Sequence, residues 1–331
     1  MPPRAIPGLV CMANVQEGRD AKKLRAMAEA ASSIPRAWLL RVFSDRTFHR
    51  SGFCLAGAPD AVGNAAIALS RRAAEYIDLT SSERAEDKYE DVGSHVGESA
   101  HHHVGAVDLL PFHPIGAATM EDAAEVARRV SKTLGEEMGL SVLTYGHAHP
   151  TRRSLVQLRK QTSFFKRGPH ALHASSHAVS SEVKPDFGPE VPDQRRGITV
   201  CGATGYVLNF NIALETTDLQ EAMQIAKAIR GSNTGGLPGV ESMAYEHAGP
   251  DGSRLVEVAC NLREPSSQEG GQASVLERVT DLARAKGIRI LHSYCTNPTP
   301  EELESWWTSD KSSSQTWEWR VPPGEENFDK S

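Results

Sequence analysis

The chain has 331 residues, of which 39% are hydrophobic and 24% charged, with a formal net charge of −6. That length exceeds the need of one core, so two domains are expected, and the apolar share is enough to fill both. The mild negative charge gives no electrostatic reason to expect nucleic acid or an anionic membrane as partner, and no apolar run approaches the roughly 18 residues of a membrane span.

The opening MPPRAIPGLV lacks the apolar stretch of a secretory signal. Residues 8–15 then read as a short strand and 19–33 as a helix, with Leu24, Met27 and Ala28 at helical spacing. Residues 38–44 and 51–57 read as strands, and Pro59 with Asp60 opens a helix to about Tyr76. Residues 82–103 form a polar insertion, an acidic run followed by histidines. A strand at 107–113, a helix at 120–138 stopped by Gly139, a strand at 141–147 and a basic helix at 151–161 follow. The stretch 163–187 holds Gly, Pro, Ser and histidine without a period, which marks a linker and a boundary near residue 184.

The second half reads strand 197–203, a tight turn at Thr204-Gly205, strand 206–214, helix 218–230, strands 240–248 and 254–262, helix 274–286 and strand 289–295. The fold class expected is α/β (α+β): two ferredoxin-like subdomains, each a sheet with helices packed on it, over 1–184 and 185–305. A tail over 306–331 carries Trp306, Trp307, Trp317 and Trp319. It either packs on its own protein or docks on a partner as an aromatic anchor. Cys11, Cys54, Cys201, Cys260 and Cys295 are odd in number and lack a Cys-x-x-Cys pair, so reduced thiols and a cytosolic or organelle-stroma location are expected, not secretion.

Four places carry a resemblance. Cys11, Asn14, Glu17 and Gly18 match a Cys-x-x-Asn-x-x-Glu-Gly opening. Arg50, Ser51 and Gly57 match an Asn-Arg-Ser/Thr strand in which His49 takes the place of Asn. His101, Gly105, Asp108, Pro111, Phe112 and Pro114 match a His-Pro-Arg-x-Gly-x-x-Asp segment, with His102 and His103 where Pro and Arg are usual. KPDFGP at 184–189 and GYVLNFNIAL beyond it complete the set. In order and spacing, residues 8–305 resemble the formiminotransferase domain of glutamate formimidoyltransferases, above all its stand-alone plant-type members.

That resemblance implies transfer of a formimino group from formiminoglutamate to tetrahydrofolate, a substrate, with no metal. A base near neutral pKa is needed to take the proton of the attacking amine, and histidine suits that role. The resemblance places the base at His101. Gly93-Ser94-His95 offers His95 as the alternative. It also implies folate in a groove between the subdomains, contacted by Asn14, Arg50, Asp108, the loop Asp186, Phe187, Gly188 and Pro189, and Asn209 and Asn211. The three asparagines are equally readable as structural hydrogen-bonding groups in strands. Arg152, Arg153, Arg159, Lys160, Lys166 and Arg167 form either a grip for folate carboxylates or a solvated helix face. The resemblance implies a homodimer. The insertion at 82–100 and the Trp-rich tail suit a subunit of a larger assembly, and a catalytically inactive folate binder is the competing reading. A zinc site assembled from the paired histidines is the weakest reading, because no HExxH accompanies them. GSNTGGLPG at 231–239 lacks the Gly-Lys-Ser/Thr ending of a phosphate loop and reads as a helix cap and turn.

Overall fold

A computed structural model describes residues 6–81, 103–162, 183–248, 253–309 and 317–323. Asp20 starts the first helix. Its carboxylate accepts from the Lys22 and Lys23 N–H groups, and α1 (Ala21–Ser32) then turns Leu24, Met27, Ala28 and Ala31 inward. β2 (Ala37–Asp45) pairs antiparallel with β3 (Arg50–Gly57), and β3 pairs with β1 (Pro7–Val15). Helix α2 (Pro59–Tyr76) leads to β4 (Val107–Gly116), which lies antiparallel to β1 on its other side. The chain order βαββαβ with spatial order β2-β3-β1-β4 is the expected ferredoxin-like arrangement.

The first sheet then grows. A Thr119–Asp122 capping box opens α3 (Met120–Lys132), which continues through a π-helical turn at Thr133–Glu137 to β5 (Ser141–Gly146). After α4 (Leu155–Gln161), β6 (Ile198–Ala203) enters between β4 and β5, parallel to both. At the far edge β11 (Glu318–Arg320) pairs parallel with β2 and completes seven strands.

The second sheet repeats the ferredoxin-like order. β7 (Leu208–Leu214), α5 (Leu219–Ile229), β8 (Val240–Ala248), β9 (Arg254–Leu262), α6 (Gln272–Arg284) and β10 (Ile290–Cys295) form an antiparallel sheet in the order β10-β7-β9-β8. α7 (Pro300–Thr308) follows, opened by Pro300 and a Thr299–Glu302 capping box. No helix among the described residues is long and apolar enough to cross a membrane.

Two separate cores show how the sheets face each other. Cys11, Ala13, Phe53, Leu55 and Phe112 pack with residues of α1, α2 and α3 on one face of the first sheet. Phe210, Ile212, Val256, Val258 and Val275 pack under α5 and α6. Strand side chains alternate between faces. The opposite faces of the two sheets therefore meet, and contacts such as the stacked rings of Phe43 and Tyr294, 5.9 Å apart, join them.

Two expectations need correction. The strand at 198–203 does not form a hairpin with 208–214, because β6 and β7 belong to different sheets. β6 is buried at every position, as a strand covered on both faces must be, and Gly202 lies flat beneath the Tyr145 ring. The chain passes between sheets at residues 204–207, well beyond the linker that composition marks. In the tail, Trp317 and Trp319 pack against the first core, while Trp306 lies edge-on to Trp38 at 5.8 Å, so these rings cover the chain itself. Arg41, 5% exposed on β2, is held there by Glu302 of α7 at 2.9 Å and Glu318 of β11 at 3.1 Å. All five cysteines are free thiols, and four of them are buried.

Candidate functional site

The polar layer between the sheets begins with the alternation of β1. Cys11 and Ala13 point to the helices, so Asn14 points the other way, toward the second sheet. Its Oδ1 accepts a 2.6 Å hydrogen bond from Arg50 Nη2, and its Nδ2 donates to the Met12 carbonyl. Glu17 and Gly18, the rest of that opening motif, shape the adjoining turn. Glu17 Oε1 accepts from the Arg19 and Asp20 N–H groups, and a side chain at Gly18 would run into the backbone of Asp45 and Arg50. His49, with φ of 48°, sits in the left-handed region that Asn enters readily, and its Nδ1 accepts from the Gly18 N–H at 3.0 Å.

Arg50 is the centre of this layer. Burial pushes its guanidinium below the ordinary value; Asp108 and Asp45 oppose the shift, and Arg159 adds to it. Asp108 is 5% exposed, accepts from the Val104 N–H at 2.7 Å and faces Arg159 Nη2 at 3.8 Å. Arg159 comes from α4, packed on the same face of the sheet beside Leu158 and Tyr145. Three residues singled out in separate motifs, Asn14, Arg50 and Asp108, thus meet around two guanidinium groups.

The second sheet contributes the opposing face. His247 on β8 brings Nε2 to 3.3 Å from Asp45 Oδ2, while Asp45 Oδ1 accepts from the Phe48 N–H at 2.8 Å. Phe48 lies edge-on to His247 and Tyr245, at 5.1 and 5.7 Å. Glu257 on β9 is 1% exposed, and its carboxyl accepts from the Asn211 amide at 3.1 Å and from the Tyr294 hydroxyl at 3.0 Å. Burial holds the Glu257 proton on above the usual carboxylate range, with His247 and the two hydrogen bonds acting against that shift. Asn209 pairs with Asn261 through its amide at 2.6 Å and, by its N–H, with Asn297 Oδ1 at 2.8 Å. Asn209 and Asn211 therefore share a face, and Asn211 alone of the two touches the acidic cluster in the contacts seen.

The loop 186–189 stands elsewhere. Phe187 bridges β5 through Val142 and packs on the helix-side core, the face opposite Asn14 and Arg50. Asp186 accepts from the Thr144 N–H and hydroxyl and pairs with Arg153 and His149, so Arg153 serves this clamp. Gly188 (φ 80°) presses against the Leu140 carbonyl, and the Pro189 carbonyl accepts from Ser141 Oγ at 2.7 Å. His101 and His95, together with Lys166 and Arg167, lie outside the described residues. Among the described residues no three His, Cys, Asp or Glu side chains are placed to hold a metal ion.

His113, on the inter-sheet face of β4, donates from Nδ1 to the Thr204 carbonyl at 3.0 Å, and burial lowers its pKa to about 4. It is a neutral strut at the crossing between sheets. Sequence reasoning passed over Asp45, Tyr245, His247, Glu257 and Tyr294. Their only signal is a polar side chain at alternate positions of otherwise apolar strands.

The profile of the formiminotransferase domain, N-terminal subdomain, matches residues 8–204, ending where the chain leaves the first sheet. The chain is similar to the formiminotransferase cyclodeaminase-like protein of Arabidopsis thaliana, with 27% identity over 300 residues that cover 88% of this chain and 94% of that one. It is similar to glutamate formimidoyltransferase of Streptococcus pyogenes serotype M1, with 31% identity over 227 residues and 68% of each chain. Similarity to formimidoyltransferase-cyclodeaminase of Sus scrofa, 31% over 296 residues, covers 88% of this chain but 50% of that longer one. By the profile match over more than half its length, this chain belongs to the formiminotransferase family.

Proposed function

We propose that the protein is a folate-dependent formimidoyltransferase that moves a formimino group from formiminoglutamate to tetrahydrofolate. The observation that carries this reading is the meeting of Asn14, Arg50, Asp108 and Arg159 in one partly buried polar layer facing the second sheet. Guanidinium groups suit the carboxylates of either substrate, and Asn14 supplies a neutral polar partner beside them. In the reaction an amine of the pterin attacks the formimidoyl carbon, a new C–N bond forms, and the bond to the glutamate nitrogen breaks. A base must take the proton of the attacking amine. His101 is the residue proposed, with His95 the alternative. His101 stands three residues before Val104, at most about 11 Å of chain, and the Val104 N–H is held by Asp108.

A second reading is a catalytically inactive member that binds folate or serves a larger assembly. His102 and His103, in place of the Pro and Arg of the resemblance, favour it.

Titration with tetrahydrofolate, with and without formiminoglutamate, followed by a turnover assay, separates the two. The first reading expects turnover that His101→Ala lowers by about 100-fold or more, the usual worth of acid–base catalysis. Binding without turnover sinks the first reading and favours the second. Turnover that survives His101→Ala but not His95→Ala moves the base to His95.

A further inference from the structure

The turn that joins β2 to β3 is seated on the second sheet. The two strands stay in register to their ends, Ser44 opposite Ser51 and Asp45 opposite Arg50, which leaves residues 46–49 as the turn. Hairpin turns ordinarily run over the surface and face water. Here Thr47 and Phe48 are both buried, Phe48 to 5% exposure. The Phe48 ring stands edge-on to Tyr245 and His247 of β8. Asp45 divides its carboxylate between two partners: Oδ1 accepts from the Phe48 N–H at 2.8 Å, and Oδ2 faces His247 Nε2 at 3.3 Å. On its other side the turn meets the segment that follows β1. Gly18 donates its N–H to His49 Nδ1 at 3.0 Å, and Arg19 Nε donates to the Arg46 carbonyl at 2.9 Å.

Arg50 leaves this turn directly. Its backbone lies opposite Asp45 across the hairpin, and its neighbour His49 is held in the left-handed region. Its guanidinium donates from Nη2 to Asn14 Oδ1 at 2.6 Å. An arginine side chain carries about 2 kcal/mol of rotamer entropy. Recognition of a carboxylate through two parallel N–H bonds demands placement to within about 0.5 Å. A side chain so long gains precision from a fixed root. The segment after β1 supports one side of that root, and β8 supports the other. His247 itself is 1% exposed and covered by Asp45 and Phe48, so it acts on a ligand only through the turn.

We propose that His247 is a positioning residue for the anion contact: through Asp45 and Phe48 it seats the 46–49 turn on the second sheet and so sets where Arg50 presents its guanidinium. The proposal rests on the reading of Arg50 as the contact for a ligand carboxylate. In it that contact belongs to both subdomains, since the first carries the cation and the second fixes its root. A carboxylate accepts hydrogen bonds, so the imidazole keeps its N–H on Nε2, toward Asp45. Replacements of His247 divide by where they put a donor. The amide nitrogen of Gln reaches about as far as Nε2 and still donates to Asp45. The amide of Asn ends near the place of Nδ1 and falls short of Asp45 Oδ2.

The test titrates the full chain with tetrahydrofolate, kept anaerobic, and separately with formiminoglutamate, and continues with whichever ligand Arg50→Met weakens. His247→Asn should bind that ligand about tenfold more weakly, a loss within the range of coupling inside one hydrogen-bonded network. His247→Gln should stay within about twofold of the unmodified chain. In the Arg50→Met background the Asn and Gln variants should bind alike, because the lost placement then has no guanidinium to act on. Circular dichroism melting establishes that each chain is folded at the titration temperature. If His247→Asn does not fold, Phe48→Leu takes its place, with a loss of the same order expected in the Arg50 chain and none with Arg50→Met. Undiminished binding by His247→Asn, equal losses in the Asn and Gln variants, or a loss that persists undiminished with Arg50→Met each overturns the proposal and leaves Arg50 standing as the anion contact. No binding by the unmodified chain, or binding of both ligands that Arg50→Met leaves intact, overturns the reading of Arg50 and the proposal with it.

Discussion

His113 gives a prediction whose size follows from its surroundings. The ring is 2% exposed, donates to the Thr204 carbonyl and is neutral in the fold, with its pKa lowered from 6.5 to about 4 by burial. An unfolded chain protonates this imidazole below pH 6.5, whereas the folded chain does so only near the lowered value. The unfolded state therefore binds more protons in between, and stability falls with falling pH across that window. The full shift is worth about 3 kcal/mol, at about 1.4 kcal/mol for each pKa unit. At about pH 4.5, roughly 2.5 kcal/mol of it is already lost relative to about pH 7.5. His113→Asn keeps an amide donor near Thr204 without a titrating group. Urea unfolding of both proteins at these two pH values isolates the effect, since the carboxylates they share cancel in the comparison. The variant should lose about 2.5 kcal/mol less than the unmodified chain on acidification. Equal losses in the two proteins would refute the assignment of a buried neutral imidazole.

Three further outcomes are expected. Glu257→Gln should gain stability relative to the unmodified chain as pH rises above 4.5, because the fold favours the protonated carboxyl and loses that advantage as pH passes through the raised pKa; unfolding curves at several pH values check the direction. Gly188→Ala should cost about 2 kcal/mol or more, since φ of 80° disfavours a side chain and the Leu140 carbonyl leaves no room for one. A lowered melting temperature with unaltered tetrahydrofolate affinity is the expected pair of results, as the clamp lies on the face of the sheet away from Arg50. Ending the chain after Thr308 should destabilise it by about 3 kcal/mol through lost burial of Trp317 and Trp319. The same truncation should promote association through the bared edge of β2, detected by size-exclusion chromatography.

Much of the element order was legible because periodicity reports burial. Leu208, Phe210, Ile212 and Leu214 alternate with Asn209, Asn211 and Ala213, and that pattern fixes both a strand and its apolar face. β6 was misplaced for a physical reason. A strand covered on both faces shows no alternation, and nearness in sequence to β7 suggested a hairpin where the chain instead changes sheets. The two ferredoxin-like units share topology and not residues, so no comparison of their letters exposes the repeat. Asn14, Arg50 and Asp108 were accessible through motif spacing. The groups opposite them were not, because Asp45, His247, Glu257 and Tyr294 are scattered along four strands and become neighbours only when two sheets close on each other.

The strand β11 has a consequence for how the chain reaches this state. Glu318 meets Arg41 across 277 positions of sequence. A polypeptide emerging from the ribosome would assemble β1 to β4 early, yet the edge of β2 would stay open and Arg41 would lack both its carboxylates. Contacts of such long sequence separation form late. The first sheet would then keep an adhesive edge until β11 arrives, and its burial of Arg41 would become favourable only with that segment. Completion of the first sheet thus waits for a strand that follows the whole second sheet in sequence, so the two subdomains are tied together in folding as well as in the final fold.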